Sequence, residues 1–255
     1  MNGDADIAAV AGLLAEPARA RIAMALADGR ALPASVLARE AGVAASTASG
    51  HLARLCDGGL LRAERHGRHR YFRLSGPEAA RAIEALARVA PPAPVRSLRE
   101  GTRAHAVRTA RLCYDHVAGR LGTALMSALL TRGALTGGDG RHDPATAVAD
   151  RLAAPGRDLD YRLTPAGAAL LGELGVDLDG VAAGRRPAIR YCVDWSEQRH
   201  HLGGALGAAL AARLLELTWL RRAPAGRALL LTDAGRDGLA RELGVDLAAV
   251  EGRDA

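Results

Sequence analysis

An α+β, mostly helical chain is predicted by three observations. Apolar residues make up 49% of the 255 positions but aromatics only 3%, so Ala, Leu and Val must fill the interior, which favours closely packed helices over an all-β core. Several stretches repeat apolar residues at i, i+3, i+4 and i+7, the spacing of one helix face. Short strand-like runs appear only in pairs, flanking turns such as the one at Gly67.

The charge balance narrows the partners. All 34 basic residues are Arg and none is Lys; against 28 acids the net charge is +6, which suits a polyanion. The longest uncharged apolar runs, 121–131 and 202–212, are far short of the ~20 residues of a membrane helix. Residues 1–6 hold two acids and no basic cluster, so a secretory signal is not expected and a cytoplasmic chain is. Cys56, Cys113 and Cys192 are odd in number and far apart, which argues against a disulfide framework.

Taken in order, Glu16-Pro17 opens a helix to about Asp28, with Pro17 where a missing N–H costs nothing. A second helix over 35–41 ends at Gly42, which can adopt the left-handed conformation of a tight turn. A third, 45–57, buries Ala48, Leu52 and Leu55 and shows Ser46, Thr47, Ser49, Gly50, His51 and Arg54 on its other side. Helix, turn and helix in this order form a helix-turn-helix, whose second helix carries hydroxyls and a guanidinium able to reach base edges and phosphates in a major groove. Two strands around Gly67 follow; positions 62–73 hold five Arg and two His against one acid. That hairpin is a wing, with Arg65, Arg68 and Arg70 suited to phosphates or a narrow minor groove.

Three prolines within 91–94 break the chain and favour an extended connector, giving a DNA-binding domain over 1–90, a linker over 91–102 and a C-terminal domain over 103–255. The C-terminal part repeats itself, as 103–184 and 185–255. Gly122-Thr123-Ala124-Leu125, Leu129-Leu130 and Leu135 match Gly207-Ala208-Ala209-Leu210, Leu214-Leu215 and Leu220 at identical spacing, and Leu163-Thr164 matches Leu231-Thr232. Each copy runs on to Glu-Leu-Gly-Val-Asp-Leu and opens with Cys-x-Asp at Cys113 and Cys192. The interval from Cys to the first Gly is nine positions in one copy and fifteen in the other, and the first copy carries a Gly/Pro/Asp-rich insertion over 137–158 that reads as a mobile loop. Each copy reads as a helix, a hairpin and a helix capped by Thr164 or Thr232, a degenerate winged-helix-like unit.

The N-terminal pattern comprises Leu14-Ala15-Glu16-Pro17-Ala18-Arg19 with Arg21-Ile22, Leu37-Ala38 and Ala41-Gly42-Val43, Ser46-Thr47, Ser49, His51-Leu52 and Leu55, Gly59-Leu60-Leu61, then Gly67-Arg68, Tyr71 and Arg73-Leu74. On these residues 12–74 resemble the winged-helix domain of the ArsR/SmtB transcriptional repressors. The resemblance implies a homodimer, built from helices before Glu16 and after Gly76, that occupies an inverted-repeat operator in double-stranded DNA and leaves it when an effector binds. Two departures stand in the reading helix: Ala44 where the family commonly caps with Ser, and Gly50 where it often has a long polar side chain. The family's thiolate pair falls here on Pro33 and Ser35, and no His lies between His69 and His105, so no metal site is expected at the usual family positions.

The C-terminal repeats are expected to serve effector sensing or dimer support. A small-molecule pocket between them, lined by Tyr114, Tyr191, Trp195 and Trp219, is the leading expectation. A second is a soft-metal site drawn from Cys113, Asp115, His116, Cys192, Asp194, Glu197, His200 and His201, with Cys113 and His116 at helical spacing. A third is a redox pair of Cys113 and Cys192, and a fourth makes these residues plain core, with Asp115 and Asp194 bonded to Arg. No phosphate loop, nucleophile elbow or zinc-protease signature is present, so an enzyme is not expected. A protein-interaction module is the alternative to a DNA-binding repressor.

Overall fold

Two acidic side chains start the first two helices. Asp6 accepts the amide of Ala9 at 3.0 Å and opens α1 (Ile7–Leu14). Glu16 accepts that of Arg19 at 2.9 Å and opens α2 (Pro17–Ala25), with Pro17 at its first position. The structure, a computed structural model, describes residues 4–143, 159–224 and 226–252. It divides into two units, Met1–Val89 with Pro224–Arg227, and Ala90–Ala223 with Ala228–Ala255.

In the first unit α2 stops at Ala25, short of the expected Asp28. Residues 26–28 form a turn that buries Asp28, and its carboxylate pairs with Arg30 at 2.5 Å. Then come β1 (Leu32–Pro33), α3 (Ala34–Ala41) and α4 (Ala45–Asp57). Gly42 ends α3 at φ 71°, in the left-handed region that favours glycine. Ala48, Leu52 and Leu55 are the buried stripe of α4, and Ala44 precedes it without a side-chain cap. β2 (Leu61–His66) and β3 (His69–Leu74) pair antiparallel around Gly67 at φ 60°. The sequence did not indicate β1, which adds to β3 through Leu32↔Phe72 and Pro33↔Tyr71 and makes a three-stranded sheet of order β1-β3-β2. α5 (Pro77–Val89) completes the unit, whose interior is Ile22, Leu26, Leu37, Leu52, Leu55 and Phe72.

Residues 91–96 are irregular. The linker expected over 91–102 is shorter than that: Ser97 caps α6 (Leu98–Thr109), accepting the amide of Glu100 at 3.2 Å. The rest of the second unit runs β4 (Arg111–Cys113), β5 (His116–Ala118), α7 (Gly119–Thr131), β6 (Leu135–Thr136), β7 (Arg162–Leu163), α8 (Pro165–Glu173) and α9 (Leu178–Ala183). The same order of hairpin, long helix, hairpin and short helix follows in β8 (Arg190–Val193), β9 (His200–Gly203), α10 (Gly204–Glu216), β10 (Leu220–Arg222), β11 (Leu229–Leu231) and α11 (Asp233–Gly238). A π-helical turn (Leu239–Leu243) and α12 (Leu247–Glu251) end it.

Thr164 and Thr232 cap equivalent helices, each accepting a glycine amide at 3.0 Å, from Gly167 and Gly235. One core, including Leu112, Leu121, Leu125, Leu129, Leu206, Leu210 and Leu214, serves both halves. A hairpin ahead of each long helix, β4–β5 and β8–β9, is additional to the helix-hairpin-helix read from the sequence. The longer interval in the second half lies in the turn between β8 and β9, where Asp194 N donates to Arg199 O at 2.8 Å. Of the insertion over 137–158, residues 144–158 lie outside the described residues, while Gly140 O accepts from the His200 amide at 2.9 Å. Among the described residues no helix is long and apolar enough to cross a membrane.

Candidate nucleic-acid interface and candidate metal centre

On α4, burying Ala48, Leu52 and Leu55 turns Ser46, Thr47, Ser49, Gly50 and Arg54 outward, and all five are exposed. Ser49 Oγ donates to Ala45 O at 3.0 Å, which leaves its lone pairs facing solvent. His51 sits differently from its neighbours: its side chain is 16% exposed, with Nε2 3.5 Å from a Glu16 carboxylate oxygen at the start of α2. The backbone amides of Arg19 and Ala18 hold that Glu16 carboxyl below its ordinary range.

The wing carries like charges face to face. Strand register sets Arg62 opposite Arg73 and Arg65 opposite Arg70, an arrangement that destabilises a bare hairpin. Glu64 relieves the first pair, lying 3.3 Å from Arg62 and 3.4 Å from Arg73. It does not relieve the second. Arg65, Arg70 and, at the tip, Arg68 are all exposed, so three guanidiniums project from one edge of a two-residue turn.

In the second unit, two hairpins bring two thiols and two imidazoles together. Register sets Cys113 opposite His116 and Cys192 opposite His201, so each hairpin contributes one of each. The ligand atoms of the four all lie within 4.8 Å of one another. Cys113, His116 and His201 are buried and Cys192 is partly so. The helices explain the approach. A Cβ on Gly122 of α7 would meet His201 Cβ at 3.4 Å, and one on Gly207 of α10 would meet His116 Cβ at 3.2 Å, so each helix presents a glycine to the other half's hairpin.

Carboxylates stand behind both imidazoles. His116 Nδ1 is 3.2 Å from Asp115 Oδ1, and His201 Nδ1 is 3.5 Å from Asp194 Oδ2. Asp115 also pairs with Arg186, while Asp194 accepts from Arg111 at 2.9 Å, the Gly119 amide at 2.7 Å and Ser196 Oγ at 2.8 Å. Burial pushes Asp194 up, but Arg111 and His201 outweigh it and hold the carboxyl well below the usual range. Burial likewise pushes His116 down, yet the charges of Cys113 and Asp115 raise it to about 9. His116 Nε2 and both ring nitrogens of His201 are buried without a hydrogen-bond partner. A buried polar atom left so costs about 1–3 kcal/mol, which a purely structural role leaves unexplained.

Residues 14–64 match a family model described as a helix-turn-helix domain. Over 242 residues the chain is 38% identical to the uncharacterized HTH-type transcriptional regulator YdfF of Bacillus subtilis, covering 95% of this chain and 99% of that protein. This chain belongs to the HTH-type transcriptional regulators. Two solved structures are also similar at its N-terminal end: the winged helix-turn-helix domain of Mb0332 from Mycobacterium bovis (34% identity, 35% of this chain and 88% of that one, TM-score 0.30) and HlyU from Vibrio cholerae (27%, 32% and 88%, TM-score 0.30). Scores so low carry no conclusion.

The HTH-type regulator is a DNA-binding protein and not an enzyme, and its helix α4 and hairpin β2–β3 run over the residues expected from the sequence. The C-terminal candidates separate into several neighbourhoods. His200 and His201 are adjacent on β9, so the pleat sends them to opposite faces: His201 joins the thiols, whereas His200 packs on Tyr191 (centroids 4.0 Å apart) with Nδ1 2.9 Å from Tyr161 Oη. Trp195 lies under the Arg111 guanidinium at 4.6 Å. Trp219 lies against α11, where a Cβ on Gly238 would come within 2.2 Å of its ring. Tyr114 occupies the β4–β5 turn at φ 61°. Cys113 and His116 face each other across that turn; the helical spacing read from the sequence is in fact a hairpin. Sequence reasoning missed Tyr161, whose only signal was an aromatic in a chain with few of them.

Proposed function

We propose that this regulator binds an inverted-repeat operator as a homodimer, represses transcription from it, and is released by an effector seated in residues 103–255. The observation that carries the reading is the coincidence of an exposed hydroxyl and guanidinium face on α4 with three exposed wing arginines, one pair of them set in mutual repulsion. A duplex resolves that repulsion, because phosphates neutralise both guanidiniums at once. Ser46, Thr47, Ser49 and Arg54 enter the major groove, where Gly50 permits close approach, and Arg65, Arg68 and Arg70 engage phosphates or the minor groove. His51 supports the helix start rather than the groove, given its pairing with Glu16.

The dimer reading is supported by apolar side chains on the unit's first and last helices. Ile7 and Val10 of α1 are 76% and 42% exposed, and Leu86 and Val89 of α5 are 49% and 78% exposed. A partner copy covering them would set two reading helices one DNA turn apart, about 34 Å. The effector shifts that spacing, and can do so only through its different affinity for the bound and released states.

The test uses the full-length protein and duplexes it selects from a random-sequence pool. Selected sites should be inverted repeats, bound by two chains per duplex on native mass spectrometry, with log affinity falling steeply as log salt rises. Placing the site over a promoter should lower transcription in vitro. Selection of no palindrome, or affinity indifferent to salt, overturns the reading.

A further inference from the structure

We infer that Cys113, His116, Cys192 and His201 form a four-ligand tetrahedral site for a zinc-class divalent cation, and that filling it is the signal that changes operator affinity. The second half of this statement rests on the operator-binding reading; the first does not.

The donor set is the first argument. Two thiolates and two neutral imidazoles make a closed set for zinc and its borderline-soft neighbours, and two thiolates cancel a divalent charge, so the filled site is neutral in a buried place. Geometry is the second. Bonds of about 2.3 Å to sulfur and 2.0–2.1 Å to nitrogen put tetrahedral ligand atoms about 3.3–3.8 Å apart. The present atoms all lie within 4.8 Å, so a contraction of at most about 1–1.5 Å closes the cage. Satisfaction is the third: the Nε2 atoms of His116 and His201 are both buried with no hydrogen-bond partner. Asp115 and Asp194 lie on the Nδ1 side of the two rings, leaving each Nε2 to the ion, which is the carboxylate–histidine arrangement that orients metal-bound imidazoles.

Topology connects the site to a signal. The ligands sit on two hairpins, each leading directly into a long helix, α7 and α10, and each half supplies one thiol and one imidazole. An ion therefore ties together the two halves of the second unit, and Cys192, the partly exposed ligand, leaves it an entrance. Without the ion, the halves stay joined by Asp194, which accepts from Arg111 and the Gly119 amide, by the Asp115–Arg186 pair and by the shared core, while the four ligands lose their common centre.

The experiment titrates cobalt(II) into reduced, chelator-treated full-length protein, following absorbance, then measures affinity for the selected duplex with and without zinc. One cobalt per chain should give thiolate charge-transfer bands in the near ultraviolet and intense visible bands of a tetrahedral centre, both displaced by zinc. C113S and C192S should each lose at least ten-fold in metal affinity while keeping duplex binding in the absence of metal. Zinc should change wild-type duplex affinity at least ten-fold and leave the variants unmoved.

Absence of the 1:1 tetrahedral spectrum overturns the site. A normal spectrum with unchanged duplex affinity overturns its role as signal. A protein that binds cobalt but selects no duplex under any condition overturns the operator reading and leaves the site standing. If oxidation joins Cys113 to Cys192 and only that changes affinity, the pair is a redox device and the metal assignment falls.

Discussion

The imidazoles of His116 and His201 lie with ring centroids 5.2 Å apart, inclined by 31°, although each belongs to a different half of the C-terminal unit. The relationship depends on the glycines beneath them. A Cβ on Gly122 would stand 2.5 Å from Val117 O as well as 3.4 Å from His201 Cβ, and one on Gly207 would stand 2.4 Å from Leu202 O. Backbone atoms cannot move aside as a flexible side chain can. G122A is therefore expected to destabilise the second unit by about 1–3 kcal/mol, as overpacking at a close approach does. Urea denaturation checks this, with G172A as control: that position lies in α8 with open space around it, and the change should be neutral or stabilising.

A second prediction concerns Asp194, which is fully buried with Arg111 and bonds the first amide of α7. Removing one partner of a buried pair strands the other charge, so D194A should cost about 3–5 kcal/mol. The double variant D194A/R111M, which removes both charges, should recover a good part of that loss. A double variant as unstable as the single one would place the cost in the missing Gly119 and Ser196 bonds instead.

The two halves of the chain differed in how much the sequence disclosed. For α4 it was nearly everything, because an apolar stripe of three residues and Gly42 before it agree, and the helix runs over Ala45–Asp57 as read. β1 was illegible: two residues, one of them Pro33, carry no alternation. α6 was missed because none of its residues is buried, so no apolar face marks it. The candidate metal centre was legible in its residues but not its geometry. Cys113 and His116 are equally compatible with one turn of helix or a two-residue turn, and Tyr114 in the left-handed region decides for the turn. Nothing local distinguishes His200 from His201; only strand pairing sends one to the thiols.

The wing supplies a third prediction. Arg65, Arg68 and Arg70 are exposed, and Arg65 opposes Arg70. Replacing Arg65 or Arg68 with Ala should leave folding stability unchanged or, for Arg65, slightly improved, because a like-charge pair is removed. Duplex affinity should fall about equally for all sequences, and the slope of log affinity against log salt should drop by about 0.9 for each phosphate that is no longer neutralised. Fluorescence anisotropy between 50 and 200 mM salt, about the range over which phosphate neutralisation weighs most, measures the slope. A variant whose slope is unchanged but whose preferred sequence shifts would show that the arginine reads the groove.

The fourth prediction isolates Gly50. A Cβ there meets nothing within 4 Å, and the residue sits in the middle of α4 with helical backbone, so G50A should raise stability by about 0.5–1 kcal/mol through the greater backbone freedom that glycine has in the unfolded chain. A gain in stability with a simultaneous loss of duplex affinity would mean that the methyl group occupies space the DNA needs, and that the glycine is kept for close approach at a cost to the helix. A gain in both would mean that Gly50 is only tolerated. Thermal denaturation and anisotropy on the same preparation separate the outcomes, because the cost to the helix is felt with or without DNA and the loss of close approach only with it.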